Sequence, residues 1–376
     1  MEFLNLMEEW NGYTPVREKR LSEAKIANFV SLITNEQKMP SHRWEYLLKE
    51  VVTTSDFPDL LGFVIDREIL TKYRAAVADW KPYFKIGKLA NFNTVRRHKV
   101  QGADDRLDEV AEKGEYLVTP MSDCYYSYNQ KKYGKQFDIS WESIINDIMN
   151  AFGDIGDRFA TAVIRSEAFK ATGTYAAATG PHTSLFGATI TDSCDSQAIT
   201  NLGALALTIA NLETTMELMA AQTDVNGEPI LARGAHLVVP PALEFTARSI
   251  LTSAMKAYTE SAGGAAVAWP TSNVIPQMGL QLHVDPYLPI IDVSGDQATT
   301  WYLFADPSQG AAMEFGYLRG YETPEICMKN SDKVSTAGGA ISPFAGDFAT
   351  DNIFYRVRQV MNSVQLDPRF AYAQVG

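Results

Sequence analysis

The chain has 376 residues, of which 46% are hydrophobic, 11% aromatic and 21% charged, a soluble globular profile long enough for two packed regions. A formal charge of −12 excludes the overall basic footprint of a duplex-gripping protein. The three cysteines, Cys124, Cys194 and Cys327, lie far apart with no C-x-x-C pair, which favours a reducing compartment over a disulfide framework. The first residues lack a basic-then-apolar signal, and no apolar run approaches the roughly 18 residues of a membrane span, so a cytoplasmic protein without membrane contact is expected.

Residues 1–55 are polar, with a helix predicted around Arg17–Thr34 and a break at Pro40. They hold too few apolar residues for a core of their own and read as an arm. Residues 85–139 hold two strand-like runs, 84–100 and 115–139, around the charged, Gly-marked stretch QGADDRLDEVAEKG. These predict a long β-ribbon whose tip projects far from any core. An isolated two-stranded ribbon is marginal in water, so it needs a partner.

The ribbon's charges fall in blocks, with Arg96, Arg97, His98 and Lys99 before Asp104, Asp105, Asp108, Glu109 and Glu112. They read either as a solvated loop with weak local ion pairs or as complementary contact with a neighbouring copy. Tyr125, Tyr126, Tyr128 and Tyr133 alternate with Lys131, Lys132 and Lys135. Packing on neighbouring protein is preferred for them over base stacking. The candidate inter-subunit contacts are therefore Arg96, Arg97, Lys99, Asp104, Asp105, Asp108, Glu109, Tyr126 and Tyr128.

A long helix is predicted over Ser140–Thr172, capped by Ser140, with an apolar face from Trp141 to Val163. A second is predicted over about Asn201–Gln222, where Leu202, Leu205, Ile209, Leu212, Met216 and Met219 recur at 3–4 spacing. The strand HLVVP (236–240) precedes a helix at about Leu243–Tyr258 and a small-residue loop, SAGGAAVA (261–268), read as mobile. Strands follow near 280–285, 300–305 and 353–366. The class is α+β, without a βαβ repeat.

No P-loop, H-E-x-x-H or G-x-S-x-G motif occurs. The glycine pairs at 263–264 and 338–339 have no following lysine, and His283 and Asp285 share a strand face without a third ligand. Asp104 and Asp105 lack the burial that tunes an acid/base pair. No catalytic, cofactor or metal site is expected, and the chain does not read as an enzyme.

The order of parts resembles the Hong Kong 97-type major capsid proteins of tailed bacteriophages. HLVVPPALEFTARSIL (236–251) looks like that family's strand–Pro–helix passage. WYLFADPSQGAAMEFGYLRGYETPEI (301–326) resembles its late axial-domain strands, and DNIFYRVRQVMNSVQLDPRFAYAQV (351–375) its closing peripheral strand. The resemblance implies an N-terminal arm at 1–55 and an extended loop at 85–138. It implies a peripheral domain from 56–84, 139–190 and 340–376 with a spine helix at 140–172, and an axial domain at 191–339. It also implies self-assembly into hexamers and pentamers of an icosahedral head enclosing double-stranded DNA, made in the host bacterial cytoplasm, with portal, scaffold or decoration proteins as partners. A covalent link from a ribbon lysine such as Lys113 to Asn352 or Asn362 is not expected. The alternative is an encapsulin-type nanocompartment holding enzyme cargo, with an α+β enzyme or a tail-tube protein more distant.

Overall fold

The computed structural model describes residues 70–101, 106–107, 109–110, 112–116, 118, 121–140, 150–191, 198–260, 267–334, 336 and 346–376. The expected arm and the glycine pairs at 263–264 and 338–339 lie outside these residues, as does most of the 261–268 loop.

In chain order, β1 (Lys85–Leu89), β2 (Val95–Gln101), β3 (Ser122–Tyr128) and β4 (Lys131–Ser140) precede the 26-residue helix α1 (Asn150–Tyr175). Short strands follow: β5 (Ala176–Ala177), β6 (Gly180–Pro181), β7 (Ile190–Thr191), β8 (Ala198–Ile199) and β9 (Leu202–Gly203). Then come α2 (Ile209–Ala220), β10 (Gly234–Val239), α3 (Glu244–Thr252), β11 (Met255–Glu260), β12 (Val267–Ser272) and β13 (Gln281–Val284). The chain closes with α4 (Leu288–Ile291), β14 (Trp301–Ala305), β15 (Met313–Leu318), β16 (Glu325–Met328), β17 (Asn352–Gln365) and β18 (Ala371–Gln374).

Two compact units result. The larger comprises Ile69–Gln136, Gly153–Ile326 and Arg356–Gly376; the smaller draws on Phe137–Phe152 and Cys327–Tyr355 besides residues outside the described set. In the smaller unit Phe137 stacks on Tyr355 with ring centroids 5.2 Å apart, and Asn352 donates to Asp138 at 2.9 Å.

In the larger unit, one sheet has the order β13-β10-β14-β18-β9. A second sheet holds β1, β15 and β17 in succession, with β1 parallel and β17 antiparallel to β15. All residues of β14, β15 and β18 are buried, in keeping with sequences that run apolar without alternation apart from Glu314 and Gln374. The largest core cluster joins Trp80, Tyr83 and Phe84 to Tyr175, Phe186, Tyr302, Phe304 and Phe315. Tyr83 stacks on Phe304 at 5.2 Å between centroids and Trp80 packs on Phe315 at 4.4 Å. Each such buried ring contributes on the order of 2–3 kcal/mol from area alone. Helix α1 buries Phe159, Val163, Glu167, Ala171 and Tyr175, a stripe at four-residue spacing, and is about 39 Å long at the usual rise.

Several expectations are corrected. The run at 84–100 is two strands: β1 joins the core sheet, and the chain turns at 90–94, where the Asn91 side chain accepts from the Asn93 backbone, before β2 begins. Ser140 ends β4 instead of capping a helix; α1 runs to Tyr175, and residues 141–149 lie outside the described set. The second helix starts at Ile209, because the Thr208 hydroxyl caps it by accepting from Asn211 N at 3.2 Å. Leu202 and Gly203, read as its first turn, pair with β18. The third helix stops at Thr252, and Met255–Glu260 turns into a hairpin with β12. Cys327 is a thiol.

Candidate assembly interface

Strands β2 and β3 form the ribbon in antiparallel register, from Val95 opposite Tyr128 to Gln101 opposite Ser122. Side chains alternate across a strand and opposed residues share a face. Val95, Arg97 and Lys99 therefore share one face with Tyr128, Tyr126 and Cys124. Arg96, His98 and Val100 share the other with Ser127, Tyr125 and Asp123.

The first face turns onto the chain's own core. Arg97 Nη2 lies 2.5 Å and its Nε 2.9 Å from Glu314 Oε1, and the Tyr128 hydroxyl donates to the same oxygen at 2.6 Å. Glu314 stands on β15 between Met313 and Phe315 and is fully buried. A carboxylate is tolerated there because the guanidinium engages it through charge-assisted bonds. Burial alone would lower the Arg97 pKa, and hydrogen bonding and charge from Glu314 more than reverse this, holding it above its ordinary value. Space for the cluster comes from two glycines opposed in the β1–β15 ladder, Gly87 and Gly316. A Cβ on Gly87 would collide with the Glu314 carboxylate, and one on Gly316 would fall 2.6 Å from the Tyr128 hydroxyl.

Further out, Lys99 Nζ meets Asp367 Oδ2 at 2.5 Å, and Arg106 Nε meets Glu228 Oε1 at 2.6 Å. Lys99 and Arg106 thus tie the ribbon to its own chain at two points. Arg97, Lys99 and Tyr128, expected on a neighbouring copy, are engaged within the subunit. The cause is that their acceptors sit on β15 and near β18, more than 180 positions away.

On the opposite face, the Arg96 guanidinium lies 4.4 Å from the Tyr125 ring centroid, a cation–π distance, and His98 Nδ1 is 3.1 Å from Asp123 Oδ1. Arg96 and Glu109 keep their place as outward candidates. Tyr126 lies on the inward face and is half-buried; Asp104, Asp105 and Asp108 lie outside the described residues. Tyr125 and His98 stand on this face without having been among the contact candidates, and Asp123 was missed, although strict alternation along β2 and β3 separates the two faces. The distal ribbon exposes Leu107 (98%), Tyr116 (82%) and Val118 (94%), apolar side chains covered by nothing within the subunit.

Two other features stand out in the larger unit. A cleft of about 350 Å³ is lined by Lys132, Lys135, Arg356 and Arg358 with Tyr133 and Val357. A smaller cavity of about 150 Å³ is bordered by Tyr73, Asp79, Glu167, Thr172, His283 and Asp285. Its polar groups are held by protein neighbours. Tyr73 donates to Glu167 at 2.5 Å, Thr172 and Tyr175 both donate to Asp285 at 2.5 Å, and His283 Nε2 lies 3.0 Å from His236 Nδ1. Burial raises the Glu167 and Asp285 carboxyls above the ordinary range, opposed by these donors. It lowers His283 to about 4, with the neighbouring His236 adding to the effect. His283 and Asp285 thus point to separate partners. Among the described residues, no group of three or more His, Cys, Asp and Glu could hold a metal ion, and no helix is long and apolar enough to cross a membrane.

Three solved structures give the scale of likeness. The chain is similar to the bacteriophage PhiM1 mature capsid (8% identity, 80% of this chain and 87% of that chain covered, TM-score 0.49). It is similar to the capsid of Myoviridae phage XM1 (11%, 79% and 90%, TM-score 0.46). It is also similar to an encapsulin complex from Synechococcus elongatus PCC 7942 (10%, 80% and 88%, TM-score 0.45). No curated protein matches the chain. A family profile described as phage capsid protein matches residues 125–374, from strand β3 through β18. The chain belongs to the phage capsid protein family.

Proposed function

We propose that the chain is a major capsid protein that self-assembles into hexamers and pentamers of an icosahedral phage head around double-stranded DNA. Its role is structural and not enzymatic. The observation that carries this is family membership over 125–374, two-thirds of the chain. The apolar distal ribbon supports it, since Leu107, Tyr116 and Val118 would be covered by a neighbouring copy. In this reading Arg96, with Tyr125 and Val100 on its face, and the exposed Glu109 are the ribbon's contact residues. Residues 1–55 act as an arm, 85–138 as the extended loop, and 56–84, 139–190 and 340–376 as the peripheral part. Residues 191–339 line capsomer centres.

DNA is contacted weakly, in keeping with the net charge of −12. Portal, scaffold and decoration proteins are the further partners, and assembly takes place in the bacterial host cytoplasm. Expression of the chain with and without phage DNA, followed by electron microscopy and analysis of particle contents, tests the reading. Closed shells that package DNA support it. Shells that instead retain a co-expressed enzyme would assign it to a cargo compartment.

A further inference from the structure

We infer that the cleft lined by Lys132, Lys135, Arg356 and Arg358 is a phosphate-binding site that holds the backbone of nucleic acid. The inference deepens the reading of the chain as a DNA-enclosing shell subunit and rests on it for the source of the phosphates. All the lining residues belong to the larger unit. Strand β4 supplies the lysines and β17 the arginines, and the two strands pair. They run so close that a Cβ on Gly134 would lie 2.7 Å from the Val357 carbonyl oxygen. The local charge runs against that of the chain. The sequence holds 45 acidic and 33 basic residues, yet four of the eight residues lining the cleft are cationic and none is acidic. Lys132 and Lys135 are exposed, and neither has an ion-pair partner among the described residues. Arg358 is steadied by its ion pair with Glu325, and its guanidinium lies 5.7 Å from the Tyr321 ring centroid. Like charges gathered in this way repel one another, and an anion relieves the repulsion.

The lining favours phosphates over an acidic protein segment. Tyr133 packs against the core cluster and Val357 is buried, so the cleft offers no apolar anchor of the kind that centres a protein interface. What remains is charge. Arginine forks match phosphate oxygens through paired hydrogen bonds, and lysines act as point charges. Lys132 and Lys135 stand three positions apart on β4, about 10 Å at ~3.3 Å per residue. That is the rise of roughly three phosphates along one strand of duplex DNA. Contact with the backbone carries no sequence preference. With only a few phosphates engaged and a net charge of −12 on the chain, the binding is weak and falls with salt.

The test is fluorescence anisotropy of a short labelled DNA duplex, titrated with the full chain below its assembly concentration at a series of salt concentrations. Engagement of three to four phosphates predicts a slope of log affinity against log salt of about −3. Lys132→Gln with Lys135→Gln should bring that slope to about −1 and weaken binding at low salt by about tenfold or more. Arg233→Gln with Arg248→Gln removes the same charge from exposed positions elsewhere and should leave the slope unchanged. Equal weakening in the two double variants overturns the site, as does a wild type without salt-dependent duplex binding. A labelled polyglutamate peptide that binds as tightly as the duplex, and is lost in the same variant, overturns it in favour of an acidic protein partner. Inorganic phosphate that competes at the duplex's own phosphate concentration overturns it in favour of a free anion. If the lysine double variant loses its fold by circular dichroism, Lys132→Gln alone carries the test, with an expected change in slope of about one. Lysine-dependent duplex binding by a chain that forms no particles keeps the site and overturns the shell reading. Particles built from a chain that does not bind DNA do the reverse.

Discussion

Arg97 and Glu314 stand 217 positions apart in sequence and meet at 2.5 Å, joining the root of the ribbon to a strand of the core sheet. The carboxylate is fully buried and the guanidinium only partly so. Removing the cation strands a charge away from water, the expensive half of the pair. Arg97→Met should cost about 3–5 kcal/mol in urea unfolding of the unassembled subunit, and adding Glu314→Gln should return a large part of that loss. Equal losses in the single and double variants would contradict this assignment.

The glycines opposed across the β1–β15 ladder hold room for that cluster. Gly87→Ala places a methyl against the Glu314 carboxylate, and Gly316→Ala places one against the Tyr128 hydroxyl. Each should destabilise by about 1–3 kcal/mol, the usual cost of overpacking, read as a lower unfolding midpoint with unchanged slope.

Asn201 is a buried amide that ties three segments together. Its Nδ2 donates to the carbonyls of Leu185, Pro368 and Ala371 at 2.7–3.2 Å, and its Oδ1 accepts from Gly187 N at 2.9 Å. Asn201→Ala leaves these buried groups without that partner and should cost about 3 kcal/mol or more. Asn201→Asp keeps the shape but replaces the donor with a charge, and should be at least as damaging by thermal unfolding.

Acid sensitivity should centre on His283. Burial and His236 lower its pKa from 6.5 to about 4, while Asp79 opposes the shift. Between these values the unfolded chain binds the proton and the folded chain does not, so stability rises with pH across that window. Neutral His283 thus contributes its share fully above pH 6.5, and that share is lost as pH falls towards 4. The difference between 6.5 and about 4 corresponds to at most about 3.5 kcal/mol at about 1.4 kcal/mol per pKa unit, and solvent screening of the partly exposed ring lowers that figure. Raised Glu167 and Asp285 act with the opposite sign, their folded forms holding protons that the unfolded chain has released. His283→Gln should flatten unfolding free energy between pH 4 and 6.5 relative to wild type; an unchanged slope would assign the acid sensitivity elsewhere.

The elements legible in sequence were those whose residues report their own surroundings. The apolar run of β10, the apolar stretch of β14 and the alternating start of β17 each state their burial locally. Elements set by distant pairing were not legible. The 3–4 stripe continued upstream of Thr208 into Leu202, but pairing with β18 decided that segment as strand. The ribbon's charges were visible and their partners were not, since Glu314, Asp367 and Glu228 lie on elements that only the folded chain brings near. Alternation alone would have placed Arg96 and Arg97 on opposite faces, and that signal went unused. An acid inside the run MEFGYL was the sequence's mark of a buried ion pair.

The most direct test of the central claim is the sedimentation of the purified chain over a range of concentrations, with negative-stain microscopy of the fastest fraction. Capsid assembly predicts closed shells tens of nanometres wide, or rings of five and six subunits. A stable monomer or dimer at every concentration and salt would contradict it.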